Sequence, residues 1–258
     1  MTPLTSGDRA PQGGSFWQRL SAQAIDLVLP PRCAACGIPG IWLCDICRAR
    51  LKPLDGPRCF RCGRPTREPV LRCLECEGRG LGFQTAAAAF AYDGPARNLV
   101  TACKFRMLGP LSNEMAELAA PRLAQLLRAF GDEHAAQLVT WVPTTLERRR
   151  GRGFDQAELL ARGLARRAGL PAAALLLRTR SSAKQSGFDR EGRSANVAAA
   201  FAVDSEAGAK ISTAVKRVLL IDDVYTTGET LNQCALALGG AGYDVHAFTF
   251  ARTVRGRR

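Results

Sequence analysis

One stretch decides the fold class of this 258-residue chain: Val218-Leu219-Leu220-Ile221-Asp222-Asp223-Val224-Tyr225-Thr226-Thr227-Gly228-Glu229-Thr230-Leu231. Its four leading apolar residues, two Leu between a Val and an Ile, are typical of a buried strand in a parallel sheet. We expect the carboxylates of Asp222 and Asp223 to follow the end of that strand, side by side. A small, hydroxylated turn, Thr226-Thr227-Gly228, then opens an apolar-periodic helix. The stretch therefore predicts a strand, an acid pair, a turn and a helix N-terminus in direct succession.

This order of groups suits a phosphorylated sugar. The start of a helix carries unpaired backbone N–H donors and a partial positive charge, both of which favour a phosphate. Carboxylates would repel that phosphate, so Asp222 and Asp223 are expected to accept hydrogen bonds from hydroxyls such as those of a ribose. The alternative is a core strand followed by an Asp helix cap, which is common in α/β folds. That alternative explains one Asp, but neither the second nor the hydroxyl-rich turn.

The stretch resembles the 5-phosphoribosyl-1-pyrophosphate (PRPP) loop of type I phosphoribosyltransferases, which has four hydrophobic residues, two acids and Thr-Thr-Gly. The resemblance implies that Asp222 and Asp223 hold the ribose hydroxyls and are the catalytic pair. It also implies Mg²⁺ between pyrophosphate and ribose oxygens, because this ion prefers oxygen ligands. The PRPP-binding residues it implies are Asp222, Asp223, Val224, Tyr225, Thr226, Thr227, Gly228, Glu229 and Thr230.

A cysteine-rich module precedes this region. Eight of the ten cysteines form four Cys-x-x-Cys pairs, whose thiolates can turn inward on a metal, and two pairs supply the Cys₄ shell that Zn²⁺ prefers. We predict two structural zinc ions. A disulfide scaffold competes with this interpretation, but nothing in the sequence directs export. Sequential and interleaved pairing both remain open for Cys33/Cys36, Cys44/Cys47, Cys59/Cys62 and Cys73/Cys76.

The charge of the chain indicates an acidic partner. The formal net charge is +13, and two Cys₄ zinc sites would lower it to about +9. Nucleic acid or a polyphosphate metabolite is the leading candidate, although a solvated Arg-rich surface gives the same composition. Because no run approaches the length of a membrane helix, we expect no stable membrane insertion. The N-terminus lacks the pattern of a secretory signal, so we expect a cytoplasmic protein.

The pattern along the chain predicts five parts: a disordered tail (1–15), an amphipathic helix (16–30), a double zinc ribbon (31–77), a hinge (78–82) and an α/β domain (83–258). Strands that alternate with helices predict a parallel sheet with helices on both faces, whose ligand lies at the carboxyl ends of the strands. The predicted strands are 85–92, 138–143, 174–177, 200–203, 217–221 and 244–251, and the helices are 95–107, 112–130 with an interruption at Pro121, 155–168 and 227–239.

Two basic segments are predicted near the same site. One is a loop that follows the strand at 138–143, and guanidinium groups in it would match phosphate or pyrophosphate oxygens in pairs. The other is the polar stretch 184–193, which begins with Lys184 and is of the kind that closes over ligands. A solvated basic loop is the alternative for each. The phosphate-binding candidates are Arg148, Arg149, Arg150, Arg152 and Lys184.

Together these motifs resemble the ComF family of competence-associated proteins, from about residue 26 to residue 252. Asp155 stands where the family has Asn, which adds negative charge near the expected phosphate site. The shared features are the Pro30-Pro31-x-Cys33 entry into the ribbons, Lys104-Phe105, the run from Arg149 to Glu158, Gln185-Ser186-Gly187, Arg193-x-x-Asn196-Val197 and the PRPP loop.

The family resemblance implies a type I phosphoribosyltransferase-like domain linked to DNA uptake in natural transformation. PRPP would be the ligand, and single-stranded DNA and DNA-uptake proteins the partners. Two classes of function follow from it. The chain either transfers a ribose 5-phosphate unit from PRPP to an acceptor that the sequence does not name, or it binds nucleic acid or a partner and uses the PRPP site as a ligand or phosphate-sensing pocket.

Overall fold

The computed structural model describes residues 31–105, 109–130, 136–179 and 200–254. The predicted tail and amphipathic helix (1–30) and Lys184 lie outside these described residues. No helix in the described ranges combines the length and the apolarity that a membrane crossing requires. In chain order the elements are α1 (Asp45–Ala49), β1 (Thr85–Ala91), α2 (Gly94–Phe105), α3 (Leu111–Phe130), β2 (Leu138–Trp141), α4 (Leu146–Arg152), α5 (Gln156–Ala168), β3 (Leu176–Arg178), β4 (Phe201–Val203), α6 (Ser205–Ala209), β5 (Arg217–Tyr225), α7 (Glu229–Gly240) and β6 (Asp244–Arg252).

Four strands form a parallel sheet in the order β1-β6-β5-β2. The two central strands, β5 and β6, are nine residues long and almost wholly buried, as the apolar run at Val218–Ile221 indicates. The short strands β3 and β4 pair antiparallel with each other outside this sheet. The predicted fold class is confirmed, with the difference that β3 and β4 do not extend the parallel sheet.

Helices cover both faces of the sheet. Side chains alternate between the faces along a strand, so Leu219 and Ile221 of β5 pack in one core together with α2, α3 and α5. Val218 and Leu220 pack in a second core together with α7. The long helix α3 passes through Pro121 without the predicted interruption. Pro121 lies on the exposed side of α3, where water can take the carbonyl group that proline leaves unpaired, while the buried side of the helix stays packed.

Each zinc ribbon contributes to a different one of these cores. Cys33 and Cys47 belong to the core that contains α2 and α3, and Cys59 and Cys76 belong to the core that contains α7. Backbone bonds from the ribbon segments also cover the outer edge of β1: Leu54 N–H to Ala89 O at 3.0 Å, Ala91 N–H to Lys52 O at 2.9 Å and Ala86 N–H to Arg61 O at 2.9 Å. The ribbons therefore close a sheet edge that would otherwise be open to association.

The segment predicted as a hinge (78–82) is held against α7. The side chain of Asn232 accepts a hydrogen bond from Gly82 N–H at 2.7 Å and donates one to Gly80 O at 3.2 Å. Gly82 lies so close to α7 that a Cβ atom on it would be 2.5 Å from the backbone nitrogen of Leu236. The ribbons and the sheet thus pack as one body in this chain, and independent folding of residues 83–258 stays a prediction.

Candidate functional site

The candidate site lies at the carboxyl end of the sheet, where β2 ends and β5 continues. The last residue of β2, Trp141, pairs with Ile221, and Val142 N–H bonds to Ile221 O at 3.0 Å. Among the described residues, those that follow in β5 pair on one side only, with β6, as far as Tyr225. This differs from the predicted strand end at Ile221, because β6 supplies partners for three of the next four residues, Asp222, Val224 and Tyr225. The open edge of β5 is the crevice where parallel sheets bind ligands.

The two acids of the predicted pair do not lie side by side. Since both are inside β5, their side chains alternate between the two faces of the sheet. The Asp223 carboxylate accepts a hydrogen bond from Lys104 Nζ, in the last turn of α2, at 2.8 Å. The Asp222 carboxyl accepts a hydrogen bond at 2.8 Å from the backbone N–H of Asp223, which β2 no longer reaches. The acids therefore have different partners, and the expectation that they lie side by side after the end of the strand was wrong.

The electrostatic environment separates the acids further. Burial, followed by the charge of Asp223, raises the pKa of the Asp222 carboxyl to about 8. Burial and then the charge of Asp222 raise the pKa of the Cys234 thiol on α7. Burial raises the pKa of the Cys103 thiol on α2, and the charge of Asp223 adds to that rise. The Asp222 carboxyl is therefore more readily protonated than an ordinary aspartate, whereas Asp223 has Lys104 as a counter-charge.

The turn after β5 has the form expected of a phosphate cradle. Gly228 is the N-cap of α7 and has a positive φ of 77°. A side chain at Gly228 would collide with the ring of Tyr225, so the position requires glycine. Thr226, Thr227 and Thr230 are exposed at the start of α7. The start of α7 offers backbone N–H groups of the kind that bind phosphates, and the Thr227 hydroxyl accepts a hydrogen bond from one of them, Glu229 N–H, at 3.4 Å.

The predicted Arg-rich loop is a short helix, α4. The Thr145 hydroxyl caps it by accepting a hydrogen bond from Arg148 N–H at 3.2 Å. Arg149 forms an ion pair with Glu158 at 3.7 Å, and the Arg152 guanidinium lies 5.9 Å from the ring centre of Phe105. Within the described ranges, the side chains of Arg148 and Arg150 are exposed without an ion pair or hydrogen bond. These two guanidinium groups are the ones that are available to an anionic ligand.

Asp155 has a structural role in the described site. Its side chain caps α5, accepting from Ala157 N–H at 3.0 Å and Glu158 N–H at 3.4 Å, and it also accepts from Thr144 N–H at 2.9 Å. It is 5 % exposed. The departure from the Asn of the family is therefore absorbed by three backbone donors. The next residue, Gln156, is also buried, and its side-chain amide has no hydrogen-bond partner among the residues that the structure describes.

The sequence did not predict the roles of several residues around the site. Lys104 was seen only as half of a Lys-Phe pair, and nothing in its spacing indicated a bond to Asp223. Arg79, in the predicted hinge, donates to Thr227 O at 3.1 Å. A polar groove of about 210 Å³ lies between the second ribbon and the phosphate turn, and it is lined by Arg64, Glu75, Arg79, Thr226, Thr227, Arg252 and Thr253.

The eight ribbon cysteines form two groups with sequential pairing. Within each group the sulfur atoms all lie within 4.8 Å of one another. Tetrahedral Zn–S bonds of about 2.3 Å place sulfur atoms about 3.8 Å apart, and the observed distances include 3.8 Å for Cys33–Cys44, 3.6 Å for Cys62–Cys73 and 3.7 Å for Cys73–Cys76. The groups, which fit one structural Zn²⁺ each, are Cys33, Cys36, Cys44, Cys47 and Cys59, Cys62, Cys73, Cys76.

The fold and the cysteine groups define a double zinc ribbon protein with a parallel-sheet α/β domain. A family model described as "Double zinc ribbon domain" matches residues 24–77. Among solved structures, the chain is similar to glutamine PRPP amidotransferase from B. subtilis complexed with ADP and GMP, with 20 % identity and a TM-score of 0.34. That similarity covers 53 % of this chain and 26 % of the other chain.

Curated relatives match most of the chain. DNA utilization protein YhgH of Escherichia coli (strain K12) is 26 % identical over 234 residues, which is 88 % of this chain and 100 % of the relative. Competence protein ComFC of Bacillus subtilis (strain 168) is 27 % identical over 82 % of this chain and 84 % of its own. Competence protein F of Haemophilus influenzae is 27 % identical over 78 % of this chain and 86 % of its own. The resemblance to the ComF family is confirmed.

The first prediction concerns metal content. The full chain, purified without added metal, should contain about two zinc ions, because each Cys₄ group supplies a closed tetrahedral shell. Changing Cys73→Ser should reduce the content to about one, as three thiolates no longer close the second site. The control, Cys103→Ser, alters a buried thiol outside both groups and should leave the content unchanged. Elemental analysis near zero zinc, with disulfides in place of thiols, would contradict the assignment.

The second prediction concerns the raised pKa of Asp222. Between an unfolded pKa of 3.8 and a folded pKa of about 8, the folded chain holds a proton that the unfolded chain has released. Stability should therefore fall as pH rises through this window. Asp222→Asn removes the ionisable group, so its melting temperature should rise relative to the wild type as pH increases from about 5 to about 8.

The control for this experiment is Asp204→Asn. Asp204 lies outside β5 and caps the short helix α6, and Asn caps a helix about equally well. Its melting temperature should therefore follow the wild type across the pH range. Parallel profiles for Asp222→Asn and the wild type would show that Asp222 is an ordinary, ionised carboxylate.

Proposed function

We propose that this chain is a PRPP-binding, phosphoribosyltransferase-like protein of the ComF type, which acts in DNA uptake or processing during natural transformation. The observation that carries the proposal is the order of groups at the open end of β5: two carboxyls, then a Gly228 turn with exposed threonines at the start of α7. The names of its relatives, a DNA utilization protein and two competence proteins, support the link to DNA.

In the proposed complex, the turn and the acids bind different parts of PRPP. The 5-phosphate would accept hydrogen bonds from the first turn of α7 and from the hydroxyls of Thr226, Thr227 and Thr230. The ribose hydroxyls would donate to Asp223, whose charge is balanced by Lys104. Asp222, whose pKa is raised, would in its protonated form donate to one sugar oxygen and accept from another.

The pyrophosphate group needs positive charge nearby. Arg148 and Arg150 extend from α4 with no other ion pair in the described part of the chain, and α4 follows β2 at the same end of the sheet. Mg²⁺ prefers oxygen ligands, and the site offers carboxyl oxygens beside the oxygens of the ligand. When bound, this ion would neutralise the departing pyrophosphate. The protein's own contribution would be to orient the ribose and to stabilise the positive charge that develops at its anomeric carbon.

Two outcomes are compatible with such a site. In the first, which we favour, the ribose 5-phosphate unit is transferred to a nucleophile with loss of pyrophosphate. In the second, PRPP or a phosphate-bearing DNA end is bound without reaction, and the protein couples nucleic acid to uptake proteins. The exposed guanidinium groups of α4 favour this second candidate, since they can follow a phosphate backbone. Release of pyrophosphate in the presence of nucleobases or DNA ends distinguishes the two.

The proposed location is the cytoplasm. The eight ribbon thiols must stay reduced to bind zinc, which requires a reducing compartment. We also propose that PRPP is the ligand and that single-stranded DNA and DNA-uptake proteins are the partners.

The third prediction tests the acid pair. Asp222→Asn combined with Asp223→Asn should weaken PRPP binding about a hundredfold, because hydrogen bonds to charged groups are worth about 1.5–3 kcal/mol each. More of the loss should come from Asp223, since the raised pKa of Asp222 makes its carboxyl less charged than an ordinary aspartate. Asp204→Asn, which changes a capping acid on α6, should keep the wild-type affinity.

Calorimetric titration and thermal melting of the same samples decide the question. A folded double variant with unchanged PRPP affinity would make both acids structural, and the phosphoribosyl proposal would fall with them.

A further inference from the structure

We propose that Arg252 is a positioning residue that fixes the phosphate turn (225–230) against the second zinc ribbon, so that the form of the turn depends on an occupied second zinc site. The inference deepens the proposed function and rests on it for the identity of the ligand. The contacts of Arg252 are independent of that ligand.

Arg252 is the last residue of β6 and is only 3 % exposed. One guanidinium nitrogen donates to the carbonyl oxygen of Cys62, a ligand of the second zinc group. The other lies 3.8 Å from the sulfur of Cys62 and 3.8 Å from a carboxylate oxygen of Glu75, which is also bound by Arg64 at 2.8 Å. The guanidinium is therefore directed into the ribbon and away from solvent.

The charge of the zinc site explains why a cation can be buried here. Burying an isolated charge is costly unless an opposite charge compensates it. Four thiolates around one Zn²⁺ carry a net charge of about −2, and Arg252 lies against one of these sulfur atoms. The counter-charge of Arg252 is thus the metal centre as a whole, together with Glu75.

The other side of the guanidinium contacts the phosphate turn. Its central carbon lies 4.1 Å from the ring centre of Tyr225, a stacked arrangement of cation and ring. The same ring occupies the space beside Gly228, the residue with positive φ that opens α7. A displacement of Arg252 would release the ring, whose atoms fill the space that a side chain on Gly228 would need.

A second bond from the ribbon region holds the turn from outside. Arg79, just after the last zinc ligand, donates to Thr227 O at 3.1 Å and forms an ion pair with Glu229 at 3.6 Å. The turn is therefore held between two arginines, one on β6 and one at the end of the second ribbon.

Within the described ranges, the first ribbon contacts α2 and α3 and not the phosphate turn. Arg48 pairs with Glu114 of α3 at 2.6 Å, and Asn98 of α2 donates to Ala35 O at 3.4 Å. Arg122 of α3 donates to Leu54 O at 2.7 Å. Like Arg252, Arg122 is a largely buried arginine at a junction with the ribbon region, and in the described part of the chain the Nε atom of each has no partner. Arg122 is therefore a matched control that does not contact the phosphate turn.

The test compares Arg252→Met with Arg122→Met in the full chain. Methionine retains most of the buried aliphatic part of the arginine side chain and removes the positive charge and the planar guanidinium group. Hydrogen exchange, followed by mass spectrometry over residues 225–231, should be about tenfold faster in Arg252→Met, because bonds of a charged donor to the ribbon are lost. Zinc content should stay at the wild-type value, and affinity for PRPP should fall about tenfold. Arg122→Met should leave both exchange and affinity at the turn unchanged.

Arg252→Lys keeps the positive charge but lacks the planar guanidinium group. It should increase hydrogen exchange at the turn by a smaller factor than Arg252→Met. The lysine variant replaces the methionine variant in this comparison if the latter does not fold. Unchanged exchange over residues 225–231 in a folded, zinc-loaded variant would overturn the inference. If the wild type does not bind PRPP, the proposed function fails, but the comparison of exchange rates still decides whether Arg252 positions the turn.

Discussion

The pairing of β5 with β6 beyond the end of β2 is the interaction on which the site depends. It keeps residues 222–225 in a strand, turns Asp222 and Asp223 to opposite faces and leaves one edge of β5 open. The same pairing places Tyr225 beside Arg252, the residue of β6 that contacts the second ribbon. The acids, the turn and the ribbon are thus connected through one ladder of backbone hydrogen bonds.

The zinc ribbons depend on the sheet as much as the sheet depends on them. A segment of this size has few large apolar residues of its own and gains stability from metal binding. Its buried cysteines complete the two cores of the sheet domain, and Gly63 approaches β1 so closely that a side chain would collide with the carbonyl of Ala86. The small alanines of β1 make this approach possible. The ribbons are therefore part of the wall that supports the crevice.

What the sequence predicted well is local. The four Cys-x-x-Cys pairs, the apolar run at 218–221 and the Gly228 turn each concern residues within a few positions of one another, so spacing and residue type were sufficient. The contacts that were missed join distant positions: 119 residues separate Lys104 from Asp223, 148 separate Arg79 from Thr227, and 190 separate Arg252 from Cys62. The end of β5 was misplaced for the same reason, because its last residues are held by β6 rather than by their own apolarity.

The central claim is that the end of β5 and the start of α7 bind a phosphorylated ribose. The most direct measurement is calorimetric titration of the full, zinc-loaded chain with PRPP, ribose 5-phosphate and inorganic pyrophosphate, each with and without Mg²⁺. The account predicts saturable binding of PRPP that Mg²⁺ strengthens, weaker binding of ribose 5-phosphate and the weakest binding of pyrophosphate, because only PRPP engages the turn, the acids and the arginines together. Equal binding of PRPP and pyrophosphate, or no binding of PRPP, would contradict it.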